Sequence, residues 1–486
     1  MTDAVVVGSG PNGLAAAVVL ARAGLRVDLY EAKQTAGGGT RTEELIFPGH
    51  WHDICSAVHP MAFASPFFQQ FGIRERLEWF VPELSYAHPL DGGIAGLAYR
   101  DLERTVDSLG ADGPAYRRLM KPLIKHTDAI LAAALNSMSP QRLAQVGPIA
   151  LAGAALWQGT GLWNLGFRGP VAPALITGVA AHPVGPMPTL ASSLAGLLLA
   201  HLGHTQGWPI PQGGSAQIAA AMLTDFQAHG GQLHTGQQIT DLAEVAGAKA
   251  VLLDTSAKAL LSIAGHRLPA RYISTLDKFS YNNAACKVDF ILSEPVPWRN
   301  PEIAQTATVH LGGTRAEIAQ AEAEVARNQH PERPYVLISQ PSQFDATRAP
   351  SGRHILWSYC HVPRYSTMDM TEAITAQIER FAPGFRDTIV ASKVTTAMQL
   401  SEYNPNYIGG DFGSGTTGLR QVLARPVIGS KPWKTPLDGL YLCSSSTAPG
   451  PGVHGMSGFN AAKLALKEVF RIETPELAPS RMEKRC

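Results

Sequence analysis

Several common chemistries are missing from this 486-residue sequence. There is no GxSxG nucleophile elbow, no HExxH zinc helix and no Walker loop, which removes the usual hydrolase, zincin and NTPase readings. Charge of one sign is absent too. Lys plus Arg number 40 against 39 Asp plus Glu, so no net field recruits nucleic acid, and the expected partner is a small molecule. The five cysteines, Cys55, Cys286, Cys360, Cys443 and Cys486, form neither CxxC nor a redox pair, which fits a reducing cytoplasm. No run of about eighteen uninterrupted apolar residues exists, so a transmembrane span is not expected. The apolar stretch from Val5 to Leu20 is no signal peptide, because Asp3 stands where a basic segment belongs and glycines interrupt it.

What is present begins at the amino terminus. Ala4-Val5-Val6-Val7 is a β-branched run suited to a buried parallel strand. It leads into Gly8-Ser9-Gly10-Pro11-Asn12-Gly13, a GxGxxG turn whose glycines permit the tight bend, the approach of a pyrophosphate and the packing of helix on strand. Pro11 suits the first turn of a helix that runs to about Gly24, its amide-rich end facing the phosphates. Arg26 to Tyr30 reads as a second strand, and Glu31 follows it eighteen residues after Gly13, where an acid accepts ribose hydroxyls. Strand, motif, helix, strand and acid in this order point to a bound dinucleotide.

Six residues past Glu31, Gly37-Gly38-Gly39-Thr40-Arg41-Thr42 resembles the second glycine motif of the glutathione-reductase-like flavoproteins and favours FAD. Its glycines let amides reach a diphosphate, and Thr40 and Arg41 can add hydroxyl or charge-assisted bonds. Near the other end, the strand-like Gly439 to Cys443 is followed by Ser444 to Gly458 and an alanine-rich helix from Phe459. This segment is similar to the flavin-closing motif of the phytoene desaturase-like oxidoreductases, relatives of the bacterial carotenoid desaturases that include the pyridine nucleotide-disulfide oxidoreductase domain 2 group. The resemblance implies that the turn lies on the ribityl chain and that Gly455, Met456 and Ser457 bring a helix end beside the flavin. It also implies that Ile239 sits near the adenine. Serines stand where most flavoproteins place a ribityl acid, so Ser445 and Ser446 are the neutral hydrogen-bonding candidates.

The expected fold class is α/β: a glutathione-reductase-like Rossmann FAD-binding domain interleaved with an α+β substrate domain on a mixed sheet. Residues 1–85, 205–270 and 425–475 are assigned to the first domain, 86–204 and 271–424 to the second, and 476–486 to a C-terminal tail. Strands are expected at Cys286 to Leu292 and His354 to Tyr359, with a covering helix from Thr371 to Arg380. The apolar stretch from Ala144 to Gly207 reads as helical core, with a substrate tunnel or membrane-dipping patch as its functional counterpart. Gly413 to Gly418 also spells GxGxxG, but no buried strand precedes it and Pro426 follows soon after, so it reads as loop.

No catalytic base declares itself. Asp53 and His454 are weak candidates, because closure of the two ends would bring both near the flavin. His310 and His361 read as structural, and Cys55 with His59 lacks the further ligands of a metal site, so no metal is expected. The implied activity is desaturation of an apolar polyene- or isoprenoid-like substrate by hydride transfer to FAD, with oxygen, quinone or NAD(P) as final acceptor. The alternatives are an amine-oxidase-like dehydrogenase, a flavin-dependent isomerase or saturase, and a non-catalytic flavin scaffold. The location implied is cytoplasmic, with peripheral membrane contact left open.

Overall fold

The computed structural model describes residues 2–137 and 139–479, so Cys486 and most of the C-terminal tail lie outside the described residues. Two sheets organise the chain. The first is five-stranded, in the order Leu440–Leu442, Ala250–Leu253, Ala4–Val7, Val27–Tyr30 and Gln232–His234, with every neighbouring pair parallel. Its central strand Ala4–Val7 is buried throughout, as a parallel strand covered on both faces must be. Helix Pro11–Arg22 covers one face with an unbroken buried run from Asn12 to Ala21. Small side chains there admit helix Met456–Ala465, which begins three residues before the sequence suggested. The contact is so close that a Cβ on Gly458 would lie 1.7 Å from the Asn12 carbonyl oxygen.

The second sheet has seven strands, in the order Ile389–Thr395, Ala284–Leu292, His354–Val362, Val336–Ser339, Thr308–Leu311, Leu84–Pro89 and Ala95–Tyr99. It is mixed, because Thr308–Leu311 runs parallel to Leu84–Pro89 while the other pairs are antiparallel. Helix Thr371–Phe381 packs Ile374, Ile378 and Phe381 onto it. The architecture is thus a Rossmann-like α/β unit interleaved with a unit built on a mixed sheet.

The apolar middle of the chain forms helices Val146–Gln158, Val171–Ala180 and Leu190–Thr205. The expectation of helical core holds for the second, whose residues from Ala172 to Ala180 are all buried. It holds for one face of the first, where Ala155 and Gln158 are buried and Leu151 and Trp157 pack against the core. Val146, Ile149 and Leu156 are more than half exposed, and so are Leu162 and Leu165 just beyond. That helix packs against Leu190–Thr205, Thr127–Ala134 and Gly113–Lys125 and leaves an apolar face to solvent. Gly413 to Gly418 is irregular, as its sequence suggests, and the buried Arg425 guanidinium knots it by donating to the carbonyls of Gly413, Ser414 and Thr416. Among the described residues no helix is long and apolar enough to cross a membrane.

Candidate dinucleotide and substrate site

The carboxyl ends of strands Ala4–Val7, Val27–Tyr30 and Ala250–Leu253 open on one cavity of about 1160 Å³. Gly8 turns the first strand into its helix with φ of +95°, a conformation glycine adopts without penalty. Gly8, Gly10, Pro11 and Asn12 line the cavity, together with Glu31, Gly38, Gly39, Arg41 and Ile239. The two glycine loops touch directly, since a Cβ on Gly38 would stand 2.8 Å from the Gly10 Cα. Gly13, Gly37 and Thr40 are outside the wall; the Thr40 hydroxyl donates to the Gly37 carbonyl at 2.7 Å and shapes the loop from behind.

Glu31 holds the cradle together as well as facing the cavity. Its Oε2 accepts from the Ser9 amide at 3.1 Å and the Ser9 hydroxyl at 2.5 Å, and its Oε1 accepts from the Lys33 amide at 2.9 Å. Arg41 completes the knot: it pairs with Glu31 at 3.2 Å and donates to the Thr35 carbonyl at 2.6 Å.

The sequence reading missed Asp254. It follows strand Ala250–Leu253, whose Leu253 pairs with Val7, so its carboxyl falls beside the glycine turn. The Gly13 amide donates to its Oδ2 at 2.8 Å, and a Cβ on Gly10 would stand 2.7 Å from the same oxygen. The carboxylate therefore occupies part of the positive end of helix Pro11–Arg22. Burial pushes its pKa up to about 7, the Gly13 amide opposes that rise and the charge of Glu31 adds to it. The signal was an acid one residue past a buried strand that pairs with the fingerprint strand.

At the closing segment the wall is made by Ser444, Ser445, Pro451, Gly452 and Val453. Ser446 points elsewhere: its hydroxyl donates to the Ser414 carbonyl at 3.1 Å and accepts from the Ala257 amide at 3.2 Å. Gly455, Met456 and Ser457 lie behind the wall, Gly455 in a left-handed turn where a Cβ would meet Phe67 at 2.7 Å.

Neither acid–base candidate lines the cavity. Asp53 is 1% exposed and accepts from Arg348 at 2.7 Å, the Ser215 amide at 2.8 Å and the Thr42 hydroxyl at 2.7 Å. Burial opposes its ionisation, but Arg348 and these donors hold its pKa below the usual carboxylate range. His454 bridges its own turn, Nε2 to the Gly450 carbonyl at 3.1 Å and Nδ1 from the Met456 amide at 3.0 Å. Both are structural clamps. Cys55 and His59 do line the cavity. A further buried cluster that the sequence reading missed, Lys287 on Asp289 with His52 3.3 Å from Asp289, sits behind the wall residue Trp357.

Away from the cradle the same cavity runs on between His182, Val184, Leu199, Trp208, Leu337 and Tyr359. Burial lowers the His182 pKa to about 3 and that of His59 to about 4, so both imidazoles are neutral at physiological pH. Each carboxylate of the wall is engaged or solvated. Glu31 and Asp254 are bonded as described, Asp411 accepts from the amides of Asn282, Gly413 and Gly415, and Glu402 is exposed. This chamber has no free anion with which to meet a cationic substrate.

Comparison with known proteins agrees with this geometry. Residues 6–71 match the NAD(P)-binding Rossmann-like domain. The chain is 23% identical to the rat pyridine nucleotide-disulfide oxidoreductase domain-containing protein 2, over 96% of this chain and 94% of that protein. It is also 23% identical to a limonene dehydrogenase polypeptide of Castellaniella defragrans, over 96% and 95% respectively. Among solved structures, a triple mutant of putrescine oxidase superposes with a TM-score of 0.61 at 16% identity, covering 97% of this chain and 99% of that one. The chain thus carries a Rossmann-like dinucleotide-binding unit beside a mixed-sheet unit, and along almost its whole length it is similar to proteins named as oxidoreductases and dehydrogenases.

Proposed function

We propose that this protein is an FAD-dependent dehydrogenase that desaturates an apolar, uncharged substrate of isoprenoid or polyene type. The observation that carries the reading is the single cavity joining a glycine cradle to a chamber with no free anion. The residues present fit FAD. Two glycine loops meet with no room for a side chain, and the Asn12 amide oxygen is buried in that wall without a partner. Backbone N–H groups of Gly10 and Asn12, with Pro11 between them offering none, and those of Gly38 and Gly39 would hold the diphosphate, Glu31 a ribose, Ile239 the adenine, and Ser444, Ser445 and Gly452 the flavin side. Bound FAD supplies the two-electron acceptor. The protein orients the substrate against it and excludes water with the apolar chamber wall. The division into interleaved FAD and substrate domains is part of this reading. So is contact of the exposed face from Val146 to Leu165 with a lipid surface, from which an apolar substrate could be drawn.

The limonene dehydrogenase relative supports this substrate class, while the putrescine oxidase likeness is one of fold. The test is anaerobic: protein reconstituted with FAD is titrated with terpene and polyene hydrocarbons, their oxygenated derivatives and primary amines, and the flavin band is followed. Bleaching by uncharged isoprenoids, with a desaturated product, is expected. Bleaching by amines alone overturns the substrate class, and failure to retain flavin overturns the cofactor.

A further inference from the structure

The partners of the histidines at and behind the chamber wall assign where their protons lie. His88 sets Nε2 at 2.7 Å from the Gly313 carbonyl oxygen, which can only accept, so its proton is on Nε2. His59 sets Nε2 at 2.8 Å from the Ser215 hydroxyl, whose own proton goes to the Ser56 carbonyl at 2.5 Å; again the imidazole proton is on Nε2. In both rings the buried Nδ1 has no partner. What is left unpaired is a bare lone pair, which costs less than an orphaned N–H.

His310 has the same partnerless, buried Nδ1, and its Nε2 lies 2.9 Å from the Nε2 of His182. By the same argument its proton is on Nε2 and is donated to His182. A neutral imidazole carries one proton. The His182 Nε2 is the acceptor, so the proton of His182 is on Nδ1. Burial keeps both rings neutral, with His310 well below the ordinary histidine pKa. His182 is largely buried at the cavity wall, with the ring of Trp208 edge-on at 5.6 Å, and its Nδ1 is neither bonded within the protein nor sealed away.

We propose that His182, fixed by His310 as an Nδ1–H donor, selects among apolar substrates for those carrying a neutral acceptor oxygen, such as a ketone, aldehyde or ester. This rests on reading the cavity as the substrate chamber of a flavoenzyme, and it narrows the substrate class from plain hydrocarbons to oxygenated ones. Donation from Nδ1–H to such an oxygen leaves the chamber uncharged and gives the substrate one fixed point.

Two measurements test it. In protein labelled with ¹⁵N-histidine, the His182 resonances, assigned by their loss in His182→Phe, should report a neutral Nδ1–H tautomer at pH 7. An Nε2–H tautomer or an imidazolium overturns the proposal. In FAD-loaded protein, limonene and its ketone carvone should both perturb the flavin band, with carvone binding about tenfold more tightly, the worth of one neutral hydrogen bond. His182→Phe should bring that ratio below about twofold, and His310→Phe should reduce it by freeing His182 to change tautomer. Equal binding of the pair to the unaltered protein overturns the donor role while leaving the chamber reading intact. If neither ligand perturbs the flavin, the chamber reading fails and takes this proposal with it.

Discussion

The cradle and the chamber share one cavity but are built by opposite means. In the cradle, polar groups engage one another at close range: Ser9 with Glu31, Glu31 with Lys33 and Arg41, Gly13 with Asp254. In the chamber, apolar side chains such as Leu199, Trp208 and Leu337 share the wall with the neutral side chains of His182, Thr308, Ser339 and Tyr359, and His88 and His310 stand behind it with a buried Nδ1 that has no partner. A charged ligand part can be matched by amides and helix ends in the first, whereas the second can recognise shape and a few neutral hydrogen bonds. The comparison can be broken at the joint between the regions, in the cradle, and on the surface, in decreasing order of effect.

The joint is the largest. Asp53, at the end of strand Trp51–Asp53, which pairs antiparallel with Thr42–Glu44 just after the second glycine loop, meets Arg348, and the neighbouring Asp345 accepts from the Gly213 amide at 2.7 Å. Arg348→Met leaves a buried carboxylate without its cation and should cost about 3–5 kcal/mol in thermal or denaturant unfolding. Flavin affinity of the remaining folded protein should be unchanged. A loss below about 1 kcal/mol would show that the two regions are held together elsewhere.

In the cradle, Gly10→Val should lower FAD affinity by at least about a hundredfold in equilibrium dialysis, because the new side chain enters the space between loop and diphosphate. The structure adds a second obstacle, the Asp254 carboxylate. Gly10→Ala with Asp254→Ser should therefore regain thermal stability relative to Gly10→Ala alone, without regaining full FAD affinity. Full recovery of affinity would mean that Gly10 is reserved for the carboxylate and not for the ligand.

Asp254 itself gives a pH-dependent test. The folded chain holds its proton up to about pH 7, against an ordinary value of 3.8. Between these values the folded state binds more protons than the unfolded one, so the contribution of this group is largest below 3.8 and drains away as pH rises to 7. Asp254→Asn should flatten that part of the stability profile. It should also tighten FAD binding by about tenfold at pH 8, the worth of one pKa unit, and leave it unchanged at pH 5. An equal gain at both pH values would sink the charge argument.

The same contrast decides what was legible in the sequence. Ala4 to Glu31 is contiguous, and its period, glycines and acid each have a local cause, so strand, helix and turn could be read directly. Asp254 touches Gly13 across 241 residues, and only knowledge that strand Ala250–Leu253 lies beside Ala4–Val7 puts it there. His182 and His310 come from a helix end and a strand 128 residues apart, and neither carries a motif. Asp53 and His454 illustrate the reverse: closure does bring their segments near the cavity, yet Arg348 and the Gly450 carbonyl take up their polar atoms.

The smallest expected effect concerns the exposed apolar face. From Leu143 to Phe167 there is no charged residue, Arg142 and Arg168 flank the stretch, and Ile149 and Leu156 are 59% and 56% exposed. A face that packed against the core would lose several kcal/mol when made polar, whereas an exposed one should shift by no more than about 0.5 kcal/mol. Ile149→Ser with Leu156→Ser should accordingly leave unfolding and flavin binding as they are. If the face meets lipid, the unaltered protein should float with phosphatidylcholine vesicles containing an anionic lipid, and the double variant should not, because burial of each apolar side chain contributes about 1.5–3 kcal/mol to such contact. Flotation of both proteins alike would place any lipid contact elsewhere, and a large drop in stability would show that this helix is core after all.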